Sequence, residues 1–169
     1  ANPIHIANGG NNNISGNTVT SYGKTTTAAI YAATSSNEIS SNTIFAYHNV
    51  TTGDGGGIMT VSSINNNIYS NTVNVYNQSL VGILLDRTNF SKVNSNTINS
   101  NQSASHGIVI GSNNNPSNDN NITSNTITVY HADINGIRDS YNLRTLIEGN
   151  TINSMTNLSK TLNLKDKTI

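Results

Sequence analysis

The sequence predicts an all-β chain folded as a parallel β-helix solenoid of about six coils, with about 25 residues per coil. Three observations predict it. Asn-Thr followed by Ile or Val recurs at Asn17, Asn42, Asn71, Asn96, Asn125 and Asn150, with spacings of 25, 29, 25, 29 and 25 residues. Apolar residues return at fixed offsets around each of these asparagines. The segments between them are short, rich in β-branched residues and bounded by Gly, Asn and Ser, so no repeat has room for a helix.

Within each repeat, an apolar residue stands three positions before the Asn: Ile14, Ile39, Ile68, Val93, Ile122 and Ile147. Another stands two positions after it, at Val19, Ile44, Val73, Ile98, Ile127 and Ile152. Two further on come Ser21, Ala46, Val75, Ser100, Val129 and Ser154, all small or apolar, which continues the inward face of a strand with period two. A further strand follows at "GIMTV" from Gly57, "GILL" from Gly82, "GIVI" from Gly107 and "GIR" from Gly136, with "AIYA" from Ala29 as its first-coil version. Two or three short strands per turn stack like on like, about 4.8 Å apart, and ladders of Ile and Val fill the interior.

The 33 asparagines among 169 residues, about one in five, take the place of charge. Asn-rich tracts are often disordered, but fixed apolar offsets are not a property of such tracts. In a coil, Asn tolerates the left-handed conformation that a tight bend needs, and a column of amides can donate and accept along the rod axis. The repeated Asn is therefore read as architecture.

At only 9% charged residues and zero formal net charge, the chain has no basic stripe for nucleic acid. The absence of cysteine excludes disulfides and Cys-based metal sites, and no apolar run approaches the ~18 residues of a membrane span. Residues 1–169 are read as a single β-helix domain. The start at Ala1, without an initiator Met or signal-peptide core, and an incomplete first coil ("IHI" at Ile4) suggest a fragment of a longer protein. At the far end Leu162 and Leu164 keep ladder register, with Lys160, Lys165 and Lys167 as edge protection.

The pattern Asn-x-Ile-x-x-Asn-Thr-Ile followed by Gly-Ile, as in "NNITSNTITVY" and "HGIVI", resembles the repeats of the right-handed parallel β-helices of the pectate-lyase-like superfamily. The resemblance runs from Asn12 to about Leu164. It implies a right-handed coil. It also implies kinship with polysaccharide lyases, hydrolases and epimerases, with NosD-like copper-site maturation proteins, with surface-layer proteins and with phage tailspikes. Such a motif specifies fold and leaves activity open.

Outward positions next to each Asn carry the column Thr18, Thr43, Thr72, Thr97, Thr126 and Thr151, and beyond it Tyr22, Tyr47, Tyr76, Asn101, Tyr130 and Met155. Tyrosine rings beside small hydroxyls and amides suit a pyranose, which stacks its apolar face on a ring while its hydroxyls form hydrogen bonds. Tyr22, Tyr47, Tyr76 and Tyr130 are the candidate ligand-binding residues. Rings packing on one another, or lying under a neighbouring chain, is the plainer account of the same column. A second outward column, Tyr31, Met59, Leu84, Val109 and Arg138, is expected to be exposed and to face another chain, as in a homotrimer.

Polysaccharide-cleaving chemistry needs clustered carboxylates. Asp54 and Asp133 share a register three coils apart, about 14 Å at the coil spacing of a sheet. Asp86 and Asp139 are offset by one residue and should face opposite sides. Asp139, Arg138 and Asp86 are the best catalytic candidates, because Asp139 falls in a register otherwise filled by Ala32, Thr60, Leu85, Ile110 and Leu164. The simpler expectation is that the strand has ended and Asp139 points to water. The histidines show no metal-ligand spacing, and "GDGGG" from Gly53 lacks the Lys and helix of a phosphate loop, so no metal and no cofactor are expected.

Together these features predict an extracellular, cell-surface or virion-surface domain that contacts polysaccharide or cell-surface glycan, in the manner of a tailspike or adhesin. The alternative is a polysaccharide lyase, glycoside hydrolase or epimerase whose site is completed across a subunit interface. A structural surface spacer is the third reading. Neither nucleic-acid binding nor membrane insertion is expected.

Overall fold

Three parallel sheets wind around one apolar interior. The computed structural model describes residues 2–23, 28–48, 55–103, 105–111, 116–131, 134–140 and 142–155, and the backbone of 160–165. The Asn-Thr sheet consists of β3 (Thr18–Gly23), β6 (Thr43–His48), β9 (Thr72–Val75), β12 (Thr97–Ser100), β15 (Thr126–Val129) and β18 (Thr151–Ser154). Ahead of it in each repeat runs a short-strand sheet of β2 (Asn13–Ser15), β5 (Glu38–Ser40), β8 (Asn67–Tyr69), β11 (Lys92–Asn94), β14 (Asn121–Thr123) and β17 (Leu146–Glu148). The Gly-Ile sheet has seven strands: β1 (Ile4–Ile6), β4 (Ala28–Ala32), β7 (Gly56–Val61), β10 (Val81–Asp86), β13 (His106–Ile110), β16 (Asn135–Ser140) and β19 (Lys160–Lys165).

Every neighbouring pair is parallel, and most keep the 25- and 29-residue spacings: Thr72 faces Thr97, Ile98 faces Ile127, and Ile108 faces Ile137, whereas Ile4 faces Ile30 and Ile30 faces Ile58. The six Asn-Thr rungs enclose about five turns of a parallel β-solenoid. "IHI" does take the place of a Gly-Ile strand, pairing Ile4 with Ile30, and Leu162 and Leu164 pair with Ile137 and Asp139. The extra residues of the longer repeats fall between β6 and β7 and between β13 and β14, mostly outside the described residues.

The interior is the predicted ladder set, with Ile39, Ile68, Val93, Ile122, Ile44, Val73, Ile98 and Ile127 all fully buried. Each such side chain contributes about 1.5–3 kcal/mol relative to exposure. At the two ends Ile4, Ile6, Ile147 and Ile152 are only partly covered.

The corner between the short-strand and Asn-Thr sheets is a continuous amide ladder. Asn42 Nδ2 donates to Asn71 Oδ1, Asn71 to Asn96 and Asn96 to Asn125, each at 3.0 Å, and each oxygen also accepts the preceding Asn's backbone N–H at 3.0 Å. The second Nδ2 hydrogen closes on a backbone carbonyl, as from Asn71 to Ile39 O at 2.8 Å. Each buried amide is therefore satisfied on both ends, the condition for burying so much polar surface.

The Asn is not the left-handed residue. Positive φ belongs to the residue before it, at Gly16, Ser41, Ser70, Ser95, Ser124 and Gly149, with φ between 53° and 69°. Left-handed backbone at that point turns the chain so that the next side chain points into the corner, and the Asn fills it in ordinary geometry.

A second polar ladder lies at the corner between the Gly-Ile and short-strand sheets. Asn12 donates to Asn37 at 2.8 Å and Asn37 to Asn66 at 2.9 Å; the backbone N–H of Asn66 then donates to Ser91 Oγ at 2.9 Å, and that of Ser91 to Asn120 Oδ1 at 2.8 Å. Its members too are preceded by left-handed residues: Asn11, Ser36, Asn65, Phe90 and Asp119.

A column of glycines sets the distance between the Gly-Ile and Asn-Thr sheets. A Cβ on Gly82 would stand 2.5 Å from Ile98 Cγ2 and 2.6 Å from Gly107 O, and Gly57 and Gly107 are equally confined. Glycine here marks close approach of backbone to a neighbouring element.

Two outcomes follow. Asn71→Ala, which strands at least two buried groups at about 1–3 kcal/mol each, should lower unfolding free energy by at least about 3 kcal/mol in urea titration. Asn17→Ala, at the exposed end rung, should cost under about 1 kcal/mol. Gly82→Ala should destabilise by about 1–3 kcal/mol through overpacking, whereas Gly16→Ser, at a position where four coils already carry left-handed Ser, should shift the midpoint by less than about 1 kcal/mol.

Candidate functional site

Strand alternation presents the outer face of the Asn-Thr sheet as three columns. Thr18 and its equivalents form the first, Thr20, Phe45, Asn74, Asn99, Thr128 and Asn153 the second, and Tyr22, Tyr47, Tyr76, Asn101, Tyr130 and Met155 the third. None of these positions holds a carboxylate, ammonium or guanidinium group. In the middle column Asn99 Nδ2 donates to Asn74 Oδ1 at 2.9 Å.

The four candidate tyrosines share this face but not one arrangement. Tyr22, Tyr47 and Tyr76 form a parallel stack, with ring centroids 5.2 and 4.5 Å apart and planes 14° and 6° from parallel. Burial, and secondarily the Tyr76 hydroxyl beside it, pushes the Tyr47 phenol above its ordinary value. Rings packing on one another is therefore what the first three do. Tyr130 stands apart, two rungs beyond Tyr76 with Asn101 between, and is 43% exposed; Tyr22, at the end of the stack, is 73% exposed. Backbone bonds of 3.1 Å from Tyr76 to Ala46, Asn101 to Val75 and Tyr130 to Ser100 keep these rungs in register.

Asp139 and Arg138 are turned to opposite faces of β16. Asp139 does not point to water: it is fully buried in the inward register between Ile110 and Leu164, and Asn142 Nδ2 donates to its Oδ1. The strand continues to Ser140 instead of ending, so period two carries Asp139 inward. Arg138, its neighbour, faces the other side, with Nη1 3.2 Å from His106 Nε2. Asp86 is buried one residue beyond that register, opposite Val61, and forms an ion pair with Arg87 at 3.0 Å. Asp54 and Asp133 lie outside the described residues.

The second outward column is also different from its expectation. Leu84 and Val109 are buried, at 1% and 0% exposure, in a small cluster with Val81 against which Met59 packs. They pack on the outside of the Gly-Ile sheet, so the apolar stripe is already covered within the chain.

Sequence reasoning missed three features. His106 is mostly buried beside Arg138 and accepts a 3.2 Å bond on Nδ1 from the Asn135 backbone N–H. Its pKa falls to about 4, first through burial and then through the Arg138 charge. Its register opposite Val81 and Asn135 could have signalled an outer polar cluster on that sheet. His48 is fully buried, its Nε2 2.6 Å from Ser21 Oγ. On the short-strand side, a shallow groove of about 250 Å³ is lined by Asn65, Asn66, Asn67, Phe90 and Lys92, with the Phe90 ring 57% exposed.

Two further carboxylates are engaged: Asp119 takes two bonds from Arg144, at 2.5 and 2.7 Å, which hold its pKa below the usual carboxylate value, and Tyr69 donates to Glu38. Among the described residues, no three His, Asp or Glu side chains come together to hold a metal ion. Compared with known protein families, with curated proteins and with solved structures, the chain matches none of them. The parallel β-solenoid with its asparagine ladder thus stands on the chain's own geometry.

Because the folded His106 resists protonation, the unfolded chain takes up the proton first as pH falls. The stability contributed by the neutral ring is complete above about 6.5 and is lost as pH drops towards about 4. Thermal melts between pH 7.5 and 4.5 should show this loss, and His106→Gln should flatten that part of the profile.

Proposed function

We propose that this chain is a non-catalytic β-solenoid domain of an extracellular, cell-surface or virion-surface protein, and that it contacts glycan through the outer face of the Asn-Thr sheet. The observation that carries the reading is that face itself: a register of tyrosines beside columns of Thr and Asn, with no charged side chain among its outward positions. Aromatic rings and neutral hydroxyl and amide groups are what a sugar's two kinds of surface require. The repeat pattern further favours the right-handed, pectate-lyase-like kind of solenoid, in keeping with the right-handed habit of parallel crossover connections.

The enzymatic alternative is less well supported. Asp139 is enclosed in the interior, Asp86 is paired with Arg87, and the two are offset by one residue on strands two coils apart. Glycosidic carboxylates instead face one cleft at about 5–9.5 Å. A homotrimer built on the Leu84 and Val109 column would find little apolar surface left to bury. A spacer remains the reading if the tyrosine face binds nothing.

Glycan microarray screening and titration calorimetry test the proposal. Simultaneous replacement of Tyr47, Tyr76 and Tyr130 by Ala should weaken glycan binding by at least about tenfold, the equivalent of one or two stacking contacts. Unchanged binding in that variant, or reducing-end release that disappears in Asp139→Asn, would sink it.

A further inference from the structure

The tyrosine column has one interruption, and the geometry around it is more specific than the rest of the face. In the stack, both faces of Tyr47 are covered, one by Tyr22 and the other by Tyr76. A sugar cannot lie flat on Tyr47. Among the described residues no further ring packs on Tyr22, on Tyr76 or on Tyr130.

We infer that the rung of Asn101, bounded by Tyr76 and Tyr130, is a subsite for a single neutral pyranose ring. This rests on the glycan-contact reading and narrows it to one position and one class of sugar. Tyr76 and Tyr130 are separated by two rungs, about 9.6 Å at the parallel-strand spacing. That is about twice the 4.5 Å between Tyr47 and Tyr76, so the column lacks one ring, and the gap has the length to take one pyranose chair between the two tyrosines. The strand itself does not break there. The Asn101 backbone N–H bonds Val75 O, and the Tyr130 N–H bonds Ser100 O, both at 3.1 Å, so only the side chain changes from a phenol to an amide. The Asn101 amide offers two donors and an acceptor to ring hydroxyls. Thr128 and Asn99 lie on the adjacent outward column, on the Tyr130 and Asn101 strands.

The charge-free surroundings decide the class. A uronate or other acidic sugar would lose hydration of its carboxylate and find no cation among the outward positions of this sheet. A neutral hexopyranose meets no such penalty.

The test uses the whole chain, with neutral gluco-, galacto- and manno-oligosaccharides and matched oligogalacturonates as probes, by calorimetry at pH 7.5 in low and high salt. Asn101→Tyr completes the stack and occupies the slot. It should lower affinity for the bound neutral oligosaccharide by at least about tenfold while leaving the circular dichroism intact and the melting temperature equal or higher. Tyr130→Ala should lower affinity comparably and serves alone if Asn101→Tyr does not fold. Wild-type binding should be indifferent to salt. Equal affinity of both variants and wild type would overturn the subsite while leaving glycan contact by the face intact. Preference for oligogalacturonates, or loss of binding at high salt, would overturn the neutral class. No binding of any probe by wild type would overturn both the subsite and the reading on which it rests.

Discussion

Everything in this molecule depends on the register lock supplied by its buried amides. A parallel strand pair can slip by one residue at little cost in backbone hydrogen bonds, yet such a slip would turn every side chain to the opposite face. The Asn ladder forbids it. Each Asn oxygen takes two bonds from the preceding rung, and a shift of one residue would strand those groups in the interior. Apolar ladders stabilise the rod, but Ile on Ile is tolerant of position; the amides say which Ile stands on which.

Because the corners are fixed, variation is confined to places where it leaves the rungs alone. The four additional residues in the longer repeats are inserted between strands, and the ladder spacing absorbs them without a change of face. Alternation between inside and outside is then carried through the coils. It gives the Asn-Thr sheet a consistent outer surface, and the same alternation draws Asp139 inward, away from Arg138 and from the groups with which it would have to cooperate. One constraint thus both assembles the tyrosine face and parts Asp139 from Arg138.

Much of this was legible in the sequence, for physical reasons. A solenoid repeats its environment, so Ile39, Ile68 and Val93 report the same site three times, and a six-fold repeated Asn can hardly be accidental. What escaped reading lacked that redundancy. The second polar ladder mixes Asn12, Asn37, Asn66, Ser91 and Asn120, and a hydroxyl can replace an amide there because the backbone N–H completes the link. The left-handed corner residue is Ser in four coils and Gly in two, a choice that composition alone does not separate from ordinary turn preference. Leu84 and Val109 were correctly placed outward, but their burial depends on what lies over the sheet, and a strand's own alternation carries no information about that. Asp139 fell in an inward register and was still expected at the surface, because the length of β16 decides the matter and strand ends are weakly encoded.

The amide ladder also has a sense. From Asn17 to Asn125, each Nδ2 donates to the amide oxygen of its C-terminal neighbour and none to the amide of its N-terminal one; on that side, from Asn42 on, the other hydrogen meets a backbone carbonyl. The rod is therefore a vector, with acceptor oxygens looking one way along its axis and donor nitrogens the other. Any coil or molecule laid against either end can prolong the ladder only if it points in the same direction; an inverted arrival would set donor on donor or acceptor on acceptor. Growth along this axis, where it occurs, is compelled to be head to tail.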